Sequence, residues 1–255
     1  MAANRKRQNN KFIKMNVKEF IKIIQKNPKM FVDEVRTNYI EHLILGFFIC
    51  CDVNNNTTDI DLHFHAHFSR WLVRWIWKNV DKKYSQKYFS WSQTLKDIDI
   101  TSNETEAVKL FFDLSDMFFE KYKDKEYPYK RNCDNRVNLR EYIKLIEKKP
   151  KAVLYEIRID YLEYVIDGFK NCNEINDFGD NTAVQFHYYF SDWLVNWIQS
   201  NIDKKYEKQH FFWYHTFRDI TNNEAEAVTL FFTLCDKFFK EYENKDIEGA
   251  LWYTK

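Results

Sequence analysis

Apolar residues recur along the chain at the spacing of amphipathic helices. The first stripe occupies positions i, i+3, i+4 and i+7, which lie on one face of a helix that packs on a core. Asn16 and Glu19 have the pattern of a capping box before this stripe, and Pro28 follows it. The pattern therefore predicts a helix between Asn16 and Pro28. The stripe consists of Val17, Phe20, Ile21 and Ile24.

Three longer helices and one short helix are predicted after the first. A threonine with glutamate three residues later has the form of a capping box at the start of the last helix, as in Thr101 with Glu104 and again in Thr221 with Glu224. A shorter helix is predicted around Trp91. The aromatic residues of these helices recur at core spacing, which favours buried packing over platforms for nucleic-acid bases. The three long apolar stripes span residues 39–47, 64–76 and 108–119.

The same sequence of features occurs twice. Phe64–Tyr84 matches Phe186–Tyr206 at 14 of 21 positions without a gap, and Thr101–Tyr122 matches Thr221–Tyr242 at 14 of 22. A period above 100 residues is typical of duplicated domains rather than of a solenoid of short repeats. The sequence thus predicts an all-α fold of two tandem homologous bundles with four to five helices each. Because duplicated surfaces often meet as in a homodimer, we expect the copies to pack with approximate two-fold symmetry.

The predicted organisation has five parts. A basic flexible leader covers residues 1–15, helical repeat 1 covers 16–125 and repeat 2 covers 138–245. Between the repeats lies a mostly polar linker, 126–137, of the kind found at domain boundaries. A C-terminal tail, 246–255, ends the chain.

Composition restricts the function classes. The 39 basic and 38 acidic residues give a net charge of +1, which offers no strong overall field for nucleic acid or a membrane. The leader carries +5, repeat 1 is neutral, and repeat 2 has 14 basic and 18 acidic residues, a net of −4. No apolar stretch is long enough to span a bilayer, no signal peptide is visible, and the five cysteines form no CxxC pair. We therefore expect a reduced cytoplasmic protein with no cofactor.

Three histidines form the most visible chemical motif. His63 and His67 lie four residues apart on a predicted helix, a spacing that can chelate zinc. Repeat 2 keeps only the middle histidine, His187, which corresponds to His65. A metal-dependent hydrolase at His63 and His67 is therefore an alternative, and a polar helix start is the preferred interpretation.

A second candidate site is Arg36-x5-His42, whose spacing resembles that of the HEPN ribonucleases, which are also helical bundles. Such a pair can stabilise a phosphoryl transition state and move a proton. Repeat 2 keeps Arg158 but has Tyr164 in place of the histidine. A ribonuclease at Arg36 and His42 therefore remains an alternative.

The segments between the second and third helices differ most between the repeats. Residues 51–62 and 173–184 align without a gap, yet they share almost no residue, and both are acidic. Variable loops on a preserved scaffold are where recognition is usually located. We expect their acids to bind a basic protein surface, because complementary charge selects a partner and accelerates association. The predicted partner-binding residues are Asp52, Asp59, Asp61, Glu174, Asp177 and Asp180.

The order of these motifs resembles bacterial polymorphic-toxin immunity proteins. The shared motifs are Pro-x-Met after the first helix, Gly-Phe in the second, Phe-x-x-Trp-Leu-Val in the third, a tryptophan, and Glu-Ala-x-x-x-Phe-Phe-x-Leu-x-Asp in the last. Repeat 2 departs from the pattern at Ala152, where methionine is expected. In this sequence the motifs lie at 28–30, 46–47 and 168–169, 68–73 and 190–195, Trp91 and Trp213, and 106–116 and 226–236.

The resemblance implies a function without catalytic residues. Immunity proteins of this kind bind and block a toxin stoichiometrically, and tandem copies occur as multi-specific versions. The expected protein is thus a non-enzymatic intracellular binding module whose partner is a toxin domain, with neither a membrane nor nucleic acid expected as partner. Besides the two enzyme alternatives, a nucleic-acid-binding regulator that uses the basic leader remains open.

Overall fold

The computed structural model describes residues 14–98, 103–128, 136–243 and 245. Within these ranges the chain forms ten α-helices, two short 3₁₀ turns and no β-strand, which confirms the all-helical prediction. The helices are α1 Val17–Lys26, α2 Thr37–Val53, α3 Asp59–Asn79, α4 Trp91–Lys96, α5 Glu104–Tyr122, α6 Leu139–Lys148, α7 Ile159–Asn176, α8 Asn181–Asn201, α9 Trp213–Ile220 and α10 Glu224–Tyr242.

The elements of the first half, residues 14–128, recur in the same order in the second half, residues 136–245. Helices α1 and α6 each have 10 residues, α3 and α8 each have 21, and α5 and α10 each have 19. A 3₁₀ turn follows the first helix of each half, at Pro28–Met30 and at Pro150–Ala152. Each half therefore contains five helices, including the predicted short helix at Trp91 and Trp213.

The helix caps agree with the sequence at the first helix of each half and differ at the last. Asn16 and Asn138 form complete capping boxes with the glutamates three residues later. The capping box predicted at Thr221 is wrong, because Asn223 is the N-cap of α10 and accepts from Glu226 N. The Thr221 hydroxyl instead donates to the Phe217 carbonyl, at 2.7 Å. Thr101 lies outside the described residues, and Asn103 caps α5.

The two acidic segments predicted to be loops are mostly helical. Helix α2 extends to Val53 and α3 begins at Asp59, so only 54–58 lies between them. In the second half the connection shrinks to 177–180. Asp59 and Asp61 lie in the first turn of α3, where the helix dipole stabilises acidic side chains.

Helices α2 and α7 form the centre of the molecule and cross at two glycines. A Cβ added to Gly46 would lie 1.9 Å from the Val165 carbonyl oxygen, and one on Gly168 would lie 2.0 Å from that of Leu43. Only a residue without a side chain permits this approach. Both helices are buried on nearly all sides, as expected for helices at the centre of a core.

Contacts across this helix pair are reciprocal. The ring of His42 lies 4.3 Å from that of Tyr161, and the ring of Tyr164 lies 4.4 Å from that of Tyr39. Tyr161 and Tyr164 align with Tyr39 and His42, so exchanging the halves exchanges the two contacts. Such reciprocity is the signature of a two-fold interface, in agreement with the packing expected from the sequence.

One hydrophobic core includes buried residues from both halves. Within each half the short helix stacks a tryptophan on a phenylalanine of the last helix. Trp91 lies 4.0 Å from Phe111, and Trp213 lies 4.5 Å from Phe231. Among the described residues, no helix is long and apolar enough to cross a membrane.

Part of the predicted leader and linker can be placed. Asn176 holds the end of the leader by accepting from Met15 N at 2.6 Å, and Lys14 lies 4.4 Å from the Phe178 ring centroid. The rest of the leader, the middle of the linker and the tail fall outside the described residues.

Candidate functional site

Two clefts of similar size flank the central helix pair. Cleft 1, in the first half, has a volume of about 370 Å³, and cleft 2, in the second half, about 420 Å³. Six lining positions of one cleft align with six of the other and carry the same residue type in both halves. The shared lining residues are Glu41, Phe64, His65, Ser69, Phe89 and Trp91 in cleft 1 and Glu163, Phe186, His187, Ser191, Phe211 and Trp213 in cleft 2.

Each cleft is completed by the opposite half. Ala152 and Val153, which follow α6, line cleft 1. Met30 and Phe31, at the aligned positions after α1, line cleft 2. Neither cleft therefore exists in an isolated half, and both depend on the α2–α7 contact.

A glutamate at the base of cleft 1 holds the start of α4. The Glu41 carboxylate accepts from the hydroxyls of Ser90 and Ser92, both at 2.5 Å, and from Trp91 N at 3.0 Å. Burial raises the pKa of Glu41 above its ordinary value, although these hydrogen bonds oppose the shift. Because these donors occupy the carboxylate, Glu41 orders the cleft wall.

The shared histidine of cleft 1 stacks on an apolar wall. The His65 ring lies 4.1 Å from that of Phe48, with 13° between the planes. Neighbouring groups displace water from the ring and lower the pKa of His65, while the charge of Asp52 acts in the opposite direction. Leu45 and Phe48 make this cleft the more apolar of the two.

Cleft 2 replaces that apolar wall with charged residues. Asp167 and Lys170 stand at the positions of Leu45 and Phe48, and they form an ion pair at 2.7 Å. Glu163 is 1% exposed and accepts from Tyr214 N at 2.6 Å. Burial, with the nearby charge of Asp167, raises the pKa of Glu163 well above its usual value. The two clefts thus share a scaffold and differ in chemistry.

Asp33 fixes the turn that closes cleft 2. It accepts from the hydroxyls of Tyr164 and Tyr214, and His215 Nε2 lies 3.1 Å away. Burial acts to raise the pKa of Asp33, but the hydrogen bonds from the two tyrosines, from Glu34 N and from His215 together outweigh it, so the pKa is lowered. The carboxylate is therefore stable as an anion that joins the first half to the second.

Of the three acids predicted to bind a partner in the first half, one is buried. Asp61 is fully buried, and its carboxylate accepts from Val17 N, Thr58 N and the Thr58 hydroxyl, each at 2.8 Å. Asp61 therefore fixes α1 against α3 and cannot contact a partner from this position. Asp52 and Asp59 are partly buried at the end of α2 and the start of α3.

In the second half, too, one of the three acids is hydrogen-bonded within the fold. Asp180 is the N-cap of α8 and accepts from Leu139 N at 2.7 Å, so it joins α6 to α8 as Asp61 joins α1 to α3. Its carboxylate also accepts from Thr182 N at 2.9 Å, which leaves it little capacity for a partner. Glu174 and Asp177 are exposed, and Glu174 lines cleft 2. Both also line a smaller adjoining hollow of about 180 Å³.

Arg36 and His42 make contacts with different residues. Arg36 pairs with Glu34 and lies 5.5 Å from the Tyr39 ring. The imidazole of His42 is 1% exposed, and its Nδ1 donates to the Asn38 carbonyl at 2.7 Å. Burial lowers the pKa of His42 to about 4, so the ring is neutral near pH 7. These contacts hold His42 as a packing residue.

His63 and His67 are adjacent, with ring centroids 5.6 Å apart. The Nε2 of His63 donates to the Glu126 carbonyl at 3.2 Å, and its ring packs against Tyr122 and Tyr127. Among the residues that the structure describes, no group of three or more histidine, cysteine, aspartate or glutamate side chains could hold a metal ion. The two histidines thus pack α3 against the residues that end the first half.

Sequence reasoning missed the lining of both clefts. The available signal was the persistence of His65 as His187 while both flanking histidines changed, together with the shared Phe-x-Trp at 89–91 and 211–213. What the sequence could not show is that a turn from the other half closes each cleft. A scan of protein-family models, a search of curated proteins and a search of solved structures each found no match to this chain.

Proposed function

We propose that this chain is a non-enzymatic protein-binding module of the immunity type, which neutralises a toxin domain inside the cell by binding it. One observation carries the proposal. Phe89 and Phe211, at aligned positions on the rims of the two clefts, are 95% and 87% exposed. Large aromatic side chains beside a cleft are the residues that most often anchor a protein interface.

The rim of cleft 2 supports a protein partner in a second way. Met30, 67% exposed, lies with Phe211 on this rim, and Tyr188, 45% exposed, lines the adjoining hollow. Exposed apolar groups rimmed by polar ones mark interaction sites on proteins. The exposed acids Glu174 and Asp177 add negative charge beside them, which suits the basic cleft of a nuclease toxin.

We further propose that the chain arose by tandem duplication and that its two bundles bind separate partner surfaces. Support comes from the shared sequence blocks, the repeated order of helices and the reciprocal contacts of α2 with α7. The apolar wall of cleft 1 and the charged wall of cleft 2 would then select surfaces of different chemistry. Tandem immunity proteins with more than one specificity would have this organisation.

Co-expression with toxins encoded beside this gene tests the proposal. The wild-type chain should protect cells from one of them and form a stoichiometric complex with it. Phe211→Ser should weaken that complex at least 10-fold, since removing an interface anchor typically destabilises binding by 2 kcal/mol or more. Failure of every neighbouring toxin to be bound or suppressed would contradict the proposal.

Charge is tested with a matched pair of variants. Glu174→Lys with Asp177→Asn should slow association markedly at low salt, because charge at a rim acts mainly on the association rate. Glu147→Lys with Asp113→Asn changes the net charge equally on α6 and α5, away from both clefts, and should leave association unchanged. Equal effects of the two variants would show that the acids beside cleft 2 have no specific role.

A further inference from the structure

A second surface, independent of the clefts, lies between α3 and α5. It is an open groove of about 360 Å³. Two tryptophans, Trp71 and Trp75, form its wall, and three cations, Arg74, Lys78 and Lys121, surround them. Both tryptophans were expected in the core, yet each is only partly buried. Rings and cations thus alternate along successive helical turns, which are about 5.4 Å apart.

The three cations are available to a ligand. Each is exposed, and none forms an ion pair with an acid within the described part of the chain. Lys121 lies 5.7 Å from the ring of Tyr122 at the end of α5. The groove therefore presents positive charge beside aromatic faces, although the chain as a whole is almost neutral.

At the aligned surface of the second half, both tryptophans contact polar side chains of α10. Glu241 stands in place of Lys121 and accepts from the indole Nε1 of Trp193 at 2.7 Å. Lys237 stands in place of Met117 and lies 5.4 Å from the ring of Trp197. The tryptophans of the second half therefore have partners from their own chain. A lysine at position 121 cannot accept a hydrogen bond from an indole.

The other two cations are also absent from the second half, where Asn196 and Ser200 align with Arg74 and Lys78. The same pair of helices therefore carries a cationic surface in the first half. In the second half the aligned surface lacks these three cations, and its tryptophans contact side chains of the last helix. All three cations of the groove lack a cationic counterpart in the second half, as expected if the first half has a ligand of its own at this place.

We propose that this groove binds single-stranded nucleic acid. The ligand must supply repeated negative charge to three cations and flat rings to the tryptophans, and a single strand has both in each nucleotide. Stacking of a base on an aromatic side chain is worth about 1–3 kcal/mol and tolerates any base. A duplex would present only phosphates here, because its bases are already stacked. The groove thus gives binding without marked sequence preference.

Titration of the full-length chain with a fluorescent 12-nucleotide oligo(dT) or oligo(U) tests this site. Binding at low salt should quench tryptophan fluorescence and raise the anisotropy of the label. Arg74→Asn with Lys78→Ser and Lys121→Glu introduces the residues of the second half at exposed positions, so the fold should be retained. The triple variant should bind at least 30-fold more weakly. The slope of the logarithm of the binding constant against the logarithm of the salt concentration should also become less steep by about 2. Each phosphate contact to a single strand contributes roughly 0.7 to this slope, and three contacts are removed.

A charge-matched control separates the groove from general attraction. Lys26→Ser with Lys29→Ser and Lys148→Glu has the same change in charge at exposed positions outside the groove and should bind as the wild type does. Equal losses in the two triple variants would overturn the proposal, as would the absence of binding at 50 mM salt or less. Binding to vesicles of anionic phospholipid without binding to the oligonucleotide would overturn it in favour of a membrane surface.

Discussion

The imidazole of His42 stacks on the phenol ring of Tyr161 across the two central helices, with ring centroids 4.3 Å apart and 21° between the planes. The same imidazole lies 4.9 Å from the ring of Tyr155, and the two tyrosine rings lie 5.2 Å from each other. Burial of the histidine beside the two tyrosines favours its neutral form, although the hydrogen bond to the Asn38 carbonyl opposes this effect. Protonation of His42 is therefore linked to the stability of the α2–α7 interface.

This linkage predicts a loss of stability in mild acid. The pKa of His42 is about 4 in the folded chain and about 6.5 when unfolded, so the unfolded state binds more protons between these values. Stability should therefore be fully present above pH 6.5 and fall by up to about 3 kcal/mol as the pH drops towards 4, at 1.36 kcal/mol per pH unit.

Urea unfolding of the wild type and of His42→Phe between pH 4 and pH 7.5 measures this contribution. The phenylalanine keeps a ring packed against both tyrosines and does not titrate. Carboxyl groups titrate in both proteins, so the difference between the two curves isolates His42. A difference that is independent of pH would show that His42 does not control stability in acid.

The close approach of α2 and α7 predicts that Gly46→Ala and Gly168→Ala destabilise strongly. Each new Cβ would meet a backbone carbonyl oxygen at about 2 Å, and backbone atoms cannot rotate away as a side chain can. Overpacking in a core commonly destabilises by about 1–3 kcal/mol, and we expect both variants at or above the top of that range.

Gly179 provides the comparison for these two substitutions. Its φ is +73°, but nothing lies within 4 Å of a Cβ built there. Gly179→Asn should destabilise by less than about 1 kcal/mol, because asparagine tolerates the left-handed region. Chemical denaturation of the three variants checks the order. Equal effects at positions 46 and 179 would mean that the helices can separate to admit a methyl group.

The sequence was sufficient to predict the local helical pattern but not the long-range packing. The stripe from Val17 to Ile24 and the cap at Asn16 depend on residues three or four apart, so helical spacing was sufficient to predict them. The hydrogen bond from Tyr214 to Asp33 joins residues 181 positions apart, and no periodicity contains that distance. The candidate clefts depend on such contacts, which is why the sequence indicated them only through the persistent histidine and the shared Phe-x-Trp of each repeat.

The buried cysteines should be unreactive in the native protein. Cys51 and Cys172 face each other across the central helices with their Sγ atoms 3.4 Å apart, and both are fully buried. The hydrogen bond between them and their burial raise the pKa of the Cys51 thiol, and burial raises that of Cys172. Since the thiolate is the reactive form, labelling should require unfolding.

Labelling with a thiol-specific chromogen in a Cys133→Ser background measures this protection, because Cys133 lies outside the described residues. Modification should be at least 100-fold slower in buffer than in denaturant. An added cysteine at the exposed position of Ser200 should react fast and serves as the positive control. Rapid modification of Cys51 or Cys172 under native conditions would reveal local opening of the α2–α7 pair.

The acids first associated with partner binding should separate into two classes by stability. Asp61→Ala removes the acceptor of Val17 N and of two donors on Thr58, in a fully buried place. Val17 N is a buried donor, and leaving it without a partner destabilises by about 1–3 kcal/mol. Loss of the capping box at Thr58 adds about 1 kcal/mol, so Asp61→Ala should lose about 2–4 kcal/mol. Asp180→Ala should lose about 1–2 kcal/mol, as is usual for removal of an N-cap.

Glu174 and Asp177 belong to the other class because both are exposed. Asp177 has a φ of +49°, a conformation that asparagine adopts readily, so Asp177→Asn rather than a lysine is the suitable change. Glu174→Gln with Asp177→Asn should alter the free energy of unfolding by no more than about 0.5 kcal/mol, the usual range for surface substitutions. Thermal and urea unfolding of the four proteins distinguish the classes. If the exposed pair lost as much stability as Asp61→Ala, both acids would be structural, and the partner would have to be sought at Phe89 and Phe211 alone.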